Sequence, residues 1–384
     1  MSSPDNNATG SALEVAVNKT DLLRELSVTQ GIVERKSTIP ILSSFLLQGI
    51  QNALLITATD LDLSLRTFCP ANVRTAGSCT IPARKFYEYV RLLRDGDLTL
   101  KLLENNWVQI RSGRSNTKMV GMARDSFPTL PLFPADKTMK LPATVLRTLI
   151  SRTIFAISEE ESRYTLNGAL LVLKPGMITM VATDGHRLAC IETANNQVTV
   201  EGETRVLLAR KAMAEVNSLL NSMEIQTVEF AKDDSTLFFR IGTRLLTCRQ
   251  LTGSFPNYEA VLPNDLNSSL TVPGDELSRS IQRVSQFADG RSNAVRLRMK
   301  QNQLLVSSSN SEAGESEETL ETTYRGEPVL IGFNARYLLD FLKVCGGQNL
   351  SFRFKGPNSP GEFRPDEVTD GAYKYCYIVM PLRV

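Results

Sequence analysis

Chemistry-bearing residues are scarce in this 384-residue sequence. It holds one histidine and one tryptophan. It has no H-E-x-x-H pair, no G-x-x-x-x-G-K-[ST] loop and no G-x-G-x-x-G turn after a strand. Zincin, P-loop and dinucleotide chemistry are therefore excluded, and any ATP hydrolysis must come from a partner. The six cysteines, Cys69, Cys79, Cys190, Cys248, Cys345 and Cys376, form no C-x-x-C pair. That argues against a zinc ribbon, a redox motif or a secreted disulfide framework, and they read as reduced, mostly buried thiols. No apolar run approaches the roughly 18 residues that cross a bilayer. The first dozen residues, MSSPDNNATGSA, lack a basic start and an apolar core. They read as a disordered lead-in (1–12) and not a signal peptide, so a cytoplasmic location is expected. Excess charge is missing too: 43 Lys and Arg stand against 41 Asp and Glu. A polyanionic partner could be met only by a local concentration of charge.

What the sequence does have is repetition. A strand-to-helix unit occurs as LEVAVNKTDLLRELSVTQGI, MKLPATVLRTLISRTIFAI and LTVPGDELSRSIQRVSQFA, and a second one as CTIPARKFYEYVRLLR, RVLLARKAMAEVNSLLNS and VLIGFNARYLLDFLKVC. Ala83, Ala209 and Ala335 mark equivalent points of the second unit, about 126 residues apart. Strand pairs with hairpin-like links follow each unit, and the ATD at Ala58 and at Ala182 marks one point in two copies. The expected domains are 13–135, 136–264 and 265–384, with short linkers at Pro131 to Asp136 and Pro263 to Ser268. Each is an α+β domain of two helices on antiparallel sheets. Two segments break the pattern: an acidic hairpin or loop from Asn310, and a Pro/Gly-rich, mobile excursion at 355–372.

Six helices are expected at 19–31, 83–94, 142–155, 209–222, 273–288 and 335–345. They carry 14 Lys and Arg against seven acids, and the remainder of the chain 29 against 34. Basic helices facing a polyanion would give this separation, and so would solvated helix faces. Without aromatic stacking residues or a helix-turn-helix, duplex held by its phosphates fits better than a single strand.

Nine motifs, in order, are TIPIL, TATDLDL, PARKF, RSGRS, YTLNG, ATDGHRLA, FPNYEAVLP, GFNARYL and the terminal MPLRV. In that order the chain resembles the bacterial DNA polymerase III beta subunit family, the sliding clamps, from about Leu13 to Val384. The resemblance implies three repeated clamp domains and a ring of two head-to-tail protomers, with helices lining a hole around duplex DNA. The family is non-catalytic and needs no cofactor. Its partners are the DNA polymerase III alpha subunit, the clamp loader, and other polymerases and repair proteins, bound through short peptides in an apolar cleft. Carried over, the cleft positions are Leu166, Thr183, Gly185, His186, Arg187, Leu188, Pro256, Val261, Asn334, Tyr337, Ile378, Val379, Met380, Pro381, Leu382 and Arg383. Ala260, Thr165 and Val384 depart from the family pattern of a basic residue, a second aromatic and a final leucine. Arg35 and Lys36 match a DNA-contacting loop, with Arg84, Arg210 and Lys211 as further candidates. Thr117, Met119, Gln286 and Phe287 fall at the expected dimer interface.

His186 with Asp60, Asp62 and Asp184 could also be read as a metal-dependent nuclease, although a lone histidine is more often structural. A repeat scaffold binding only proteins is the other alternative. Trp107 and most Phe and Tyr residues are expected in the core.

Overall fold

The computed structural model describes residues 12–34, 38–160, 162–195, 200, 202–263, 265–366 and 373–383. Arg35, Lys36, Val384 and nearly all of the lead-in lie outside the described residues. Among those described, six α-helices occur: α1 Lys19–Thr29, α2 Ala83–Leu92, α3 Ala143–Ser151, α4 Arg210–Asn221, α5 Gly274–Val284 and α6 Ala335–Cys345. Each begins one residue after a strand ends. The chain makes that change abruptly because the junction residue is a helix starter. Asn18 and Asn334 cap with their side chains, accepting from the Thr20 and Arg336 amides at 2.9 Å, while Pro82 and Pro273 precede α2 and α5. No described helix is long and apolar enough to cross a membrane.

Residues group into two compact units, 1–143 with 218–249, and 144–217 with 250–384. This grouping cuts the middle repeat, because strands of neighbouring repeats share sheets. The first unit holds a 12-stranded sheet with Leu63–Thr75 at its centre. That 13-residue strand pairs early with Arg244–Arg249 of the middle repeat, and late with Glu14–Asn18. Met139–Pro142 and Ser115–Val120 are the two ends of the strand path. Beneath it α1 buries Leu22 and Leu26, and α2 buries Phe86 and Val90, each worth about 1.5–3 kcal/mol when withdrawn from water. The expected linker is packed down: Phe133 meets Phe238 edge-on at 6.1 Å, with the Arg240 guanidinium 3.8 Å over its ring.

A buried ion pair joins α1 to the middle repeat within this unit. Arg244 donates from Nε and Nη2 to the two Glu25 carboxylate oxygens at 3.0 and 3.1 Å. Its Nη1 donates to Ser222 at 3.0 Å, and the Thr67 hydroxyl also donates to Glu25. The Glu25 and Arg244 side chains are 6% and 4% exposed, so both charges depend on protein partners, and Glu25 also accepts from Arg24 Nε at 3.2 Å.

The second unit contains an eight-stranded sheet, in which Arg187–Ala194 of the middle repeat pairs with Tyr373–Val379 of the last, and a separate four-stranded sheet. In the latter, the acidic segment after Asn310 forms the hairpin partner Gly314–Glu321, an edge strand with Glu315 and Glu317 exposed. Gly361–Pro365, expected inside a mobile excursion, is a strand paired on both sides, with Asn349–Phe354 and Tyr373–Val379. Phe363, stacked on Phe352 at 4.3 Å, supplies the apolar anchor that outweighs the Pro and Gly flanks. Trp107 is a second correction: it opens a strand at 42% exposure and is not in the core.

Burial pushes the Glu25 carboxyl up, but Arg244 and Thr67 more than offset it, leaving it below its ordinary value of 4.5. Its contribution to stability is therefore present above pH 4.5 and lost as the pH falls further. Arg244→Met should lower the unfolding free energy by about 3–5 kcal/mol, and a joint Glu25→Leu replacement should recover part of that loss. Urea denaturation at pH 7 and pH 4 checks both.

Candidate functional site

The site starts from a tight turn between strands Met177–Thr183 and Arg187–Ala194. Asp184 Oδ1 accepts the His186 and Arg187 amides at 2.9 and 3.0 Å. Thr183 Oγ1 donates to the Arg187 carbonyl at 2.6 Å and accepts the Gly185 amide at 3.1 Å. Gly185 sits at φ +89°, a left-handed backbone that glycine tolerates without strain. The same turn recurs in the first repeat, where Asp60 Oδ1 accepts the Asp62 and Leu63 amides and Thr59 donates to Leu63. Asp60 and Asp184 thus each use Oδ1 to shape backbone, and Asp184 gives its Oδ2 to Arg187.

Where the first repeat has Leu63, the second has Arg187, which folds inward and is 8% exposed. Its Nε donates to Asp184 at 2.9 Å, Nη1 to Asp340 of α6 at 2.6 Å, and Nη2 to the Phe155 carbonyl at 2.8 Å. The guanidinium lies 4.4 Å over the Tyr337 ring, and Tyr337 in turn stacks on His186 at 6.4 Å. Burial works against this charge, yet Tyr377, Asp340 and Asp184 raise the guanidinium above its ordinary range, so it stays protonated. One buried cation thus pins the turn, the His186 ring and α6 together.

Above this turn opens an apolar cleft of about 130 Å³. Leu166, Thr183, Gly185, His186, Arg187, Leu188, Pro256, Val261, Ile378 and Met380 line it, ten of the expected positions. Tyr258, which the sequence reading did not single out, lines it too. It stood inside FPNYEAVLP, but only burial distinguishes it from its neighbours: it is 8% exposed and its hydroxyl is pushed up to about 12 by burial. The floor is a buried cluster that includes Leu188, Cys190, Tyr258 and Ile378, with Leu251, Phe255, Leu262 and Cys376 packed against it. Val261 and Met380 stay 43% and 44% exposed at the rim, apolar surface that a binding partner could cover.

Six expected positions do not line the cavity. Asn334 caps α6, Tyr337 supports Arg187, and Val379 is fully buried. Pro381 and Leu382 are half-buried and Arg383 is exposed. Leu382 and Met380 anchor the tail by donating their amides to Gly332 and His186, at 2.8 and 2.9 Å.

The charged candidates are less free than composition implies. Arg84 and Lys211 are exposed on α2 and α4, and Arg210 is paired with Glu159 at 2.9 Å. Lys19, Arg24, Arg91 and Arg283 likewise meet Asp95, Asp21, Glu88 and Glu318. Part of the helical charge excess is thus neutralised inside the chain. Of the expected interface residues, Thr117 donates to the Tyr89 hydroxyl at 2.8 Å and Met119 is 5% exposed, both on the edge strand Ser115–Val120. Gln286 is exposed and Phe287 half-buried in the turn after α5.

Profiles of the DNA polymerase III beta subunit match the chain in three pieces: the N-terminal domain at residues 13–131, the central domain at 140–257 and the C-terminal domain at 259–383. A beta sliding clamp of Caulobacter vibrioides is 35% identical over 378 residues, covering 97% of this chain and 100% of the relative. One from Vibrio cholerae is 30% identical, with 97% and 100% covered. A crystal structure of the Pseudomonas aeruginosa sliding clamp bound to griselimycin superposes at a TM-score of 0.90, with 30% identity and 97% and 100% of the two chains covered.

Asp184→Ala should cost about 1–3 kcal/mol in unfolding free energy through its orphaned amides, and Asp184→Asn, which keeps an acceptor, markedly less. Equal losses in a denaturant titration would mean that the charge facing Arg187 matters more than the turn.

Proposed function

Since the chain belongs to the DNA polymerase III beta subunit family, the beta sliding clamps, we propose how its own residues carry out that family's work. It functions in DNA replication as a sliding clamp, a non-catalytic processivity subunit. A topological link retains such a protein on duplex, while weak, sequence-indifferent phosphate contacts let it move.

In our reading the three clamp domains are 13–135, 136–264 and 265–384, and two chains close head to tail into a ring. Support for closure comes from the edge positions of the expected interface. Ser115–Val120, with Thr117 and Met119, ends the path of the 12-stranded sheet, and Gly314–Glu321, beside Phe287, ends the four-stranded one. Unpaired backbone groups on such edges suit pairing with a second chain. Arg84, Lys211 and Arg210, with Arg35 and Lys36, supply the duplex contacts. We infer a cytoplasmic location, where the DNA that such a clamp encircles lies.

The observation that carries the partner assignment is the apolar cleft, pinned from beneath by Arg187 and rimmed by Met380 and Val261. Aliphatic side chains, Met and Pro make an adaptable pocket for short peptides of the DNA polymerase III alpha subunit, the clamp loader, other polymerases and repair proteins. The half-buried Pro381 and Leu382 and the exposed Arg383 extend its rim.

Loaded by a clamp loader onto nicked circular duplex, the protein should co-elute with the DNA through gel filtration and be lost when the circle is linearised. Retention on linear DNA, or failure to stay on the circle, would sink the clamp reading. Deleting Met380 to Val384 should weaken griselimycin binding, read by calorimetry, by ~10-fold or more while leaving the dimer intact.

A further inference from the structure

Residues of Arg187–Ala194 and Tyr373–Val379 face each other in fixed register, and every second pair shares one face of the sheet. On the cleft side the pairs run Leu188 with Ile378, Cys190 with Cys376, and Glu192 with Lys374. The first pair lines the cleft, and the last is an ion pair at 3.5 Å. Between them lie two thiols directly opposite one another. Opposed residues in an antiparallel ladder have Cα atoms about 4.5–5.5 Å apart, inside the roughly 4.4–6.8 Å that a disulfide spans.

These two thiols differ from the rest. Cys69, Cys79, Cys248 and Cys345 are buried, and burial pushes each thiol up to about 12, which leaves them inert. Cys376 is only partly buried. A hydrogen bond from the Cys190 thiol, helped by Arg364, draws the Cys376 thiol below its ordinary value despite burial. The same hydrogen bond, with burial, drives Cys190 up. Cys376 is therefore the easier of the two thiols to ionise.

We propose that Cys190 and Cys376 are a peroxide-sensitive dithiol whose oxidation to a cross-strand disulfide reshapes the floor of the cleft. The Cys376 thiol gives up its proton and its sulfur attacks one peroxide oxygen; the O–O bond breaks, a sulfenic acid forms, and the leaving hydroxide takes up that proton and departs as water. Cys190 sulfur then attacks Cys376 sulfur, the S–O bond breaks, and a second water leaves with the Cys190 proton. Two thiols and one hydrogen peroxide thus become one disulfide and two waters, and a dithiol reductant reverses the step by exchange. Bond formation draws the sulfurs to about 2.05 Å. Cys190 lies in the cluster with Leu188, Tyr258 and Ile378, and Cys376 packs on it, so the close-packed floor passes the movement to side chains lining the cleft. The effect on ligand affinity rests on the peptide-cleft reading, whereas the disulfide itself does not.

The test treats the full-length reduced protein with hydrogen peroxide, maps disulfides by non-reducing peptide mass spectrometry, and titrates each form with griselimycin. The expected result is a Cys190–Cys376 bridge, reversed by dithiothreitol, with affinity weakened ~3- to 10-fold, the scale of a floor that shifts without opening. Cys190→Ala and Cys376→Ala should each abolish the peroxide response. Absence of the bridge at peroxide levels that oxidise Cys376, or a bridge with unchanged affinity, overturns the proposal. A reduced protein that fails to bind griselimycin at all would count against the cleft reading alone, with the mass map still deciding the disulfide.

Discussion

The ladder between Arg187–Ala194 and Tyr373–Val379 is the constraint on which the rest of the second unit depends. A strand of the middle repeat and a strand of the last one exchange backbone hydrogen bonds over seven residue pairs, from Arg187↔Val379 to Thr193↔Tyr373. Because side chains alternate, that register alone decides that Leu188 and Ile378 share the cleft face, while Ala189 and Tyr377 share the other. A slip of one residue would turn the cleft floor over to the wrong face. Phe341, stacked on Tyr377 at 4.6 Å, holds the register from the opposite side.

The first unit uses the same device, with Leu63–Thr75 paired to Arg244–Arg249. Sequence drift between the copies then explains why their turns differ in use. The Thr-Asp turn is retained in both, down to the four hydrogen bonds on Asp60 or Asp184 and Thr59 or Thr183. After it, the first copy has Leu61, Asp62 and Leu63, and Asp62 is paired with Arg249. The second copy has Gly185, His186 and Arg187, and the inward guanidinium there replaces an aliphatic side chain. Desolvating that cation is affordable only because Asp184, Asp340 and the Phe155 carbonyl all receive it.

Electrostatics in this chain works by arrangement more than by total. A net charge of +2 conceals basic helices, and the structure tempers that separation by seating Glu159 and Glu318 beside Arg210 and Arg283. Weak attraction suits a protein that must move along a polyanion. The buried Glu25–Arg244 pair, by contrast, is structural, since its 6% and 4% exposed side chains lie beyond the reach of screening ions.

The sequence by itself determined the repeat and the six strand-to-helix junctions, because periodicity, caps and local motifs are properties of neighbouring residues, whereas the ten expected residues that line the cavity were reached through the family resemblance. It also carried the family resemblance, since TIPIL through MPLRV kept their order. Only tertiary structure decided that Tyr258 turns into the cleft, that Trp107 stays exposed, that Gly361–Pro365 becomes a strand, and that Arg187 meets Asp340 across 153 positions. Those outcomes follow from which strand lies beside which. That pairing is set by packing between distant segments, and no short window of residues contains it.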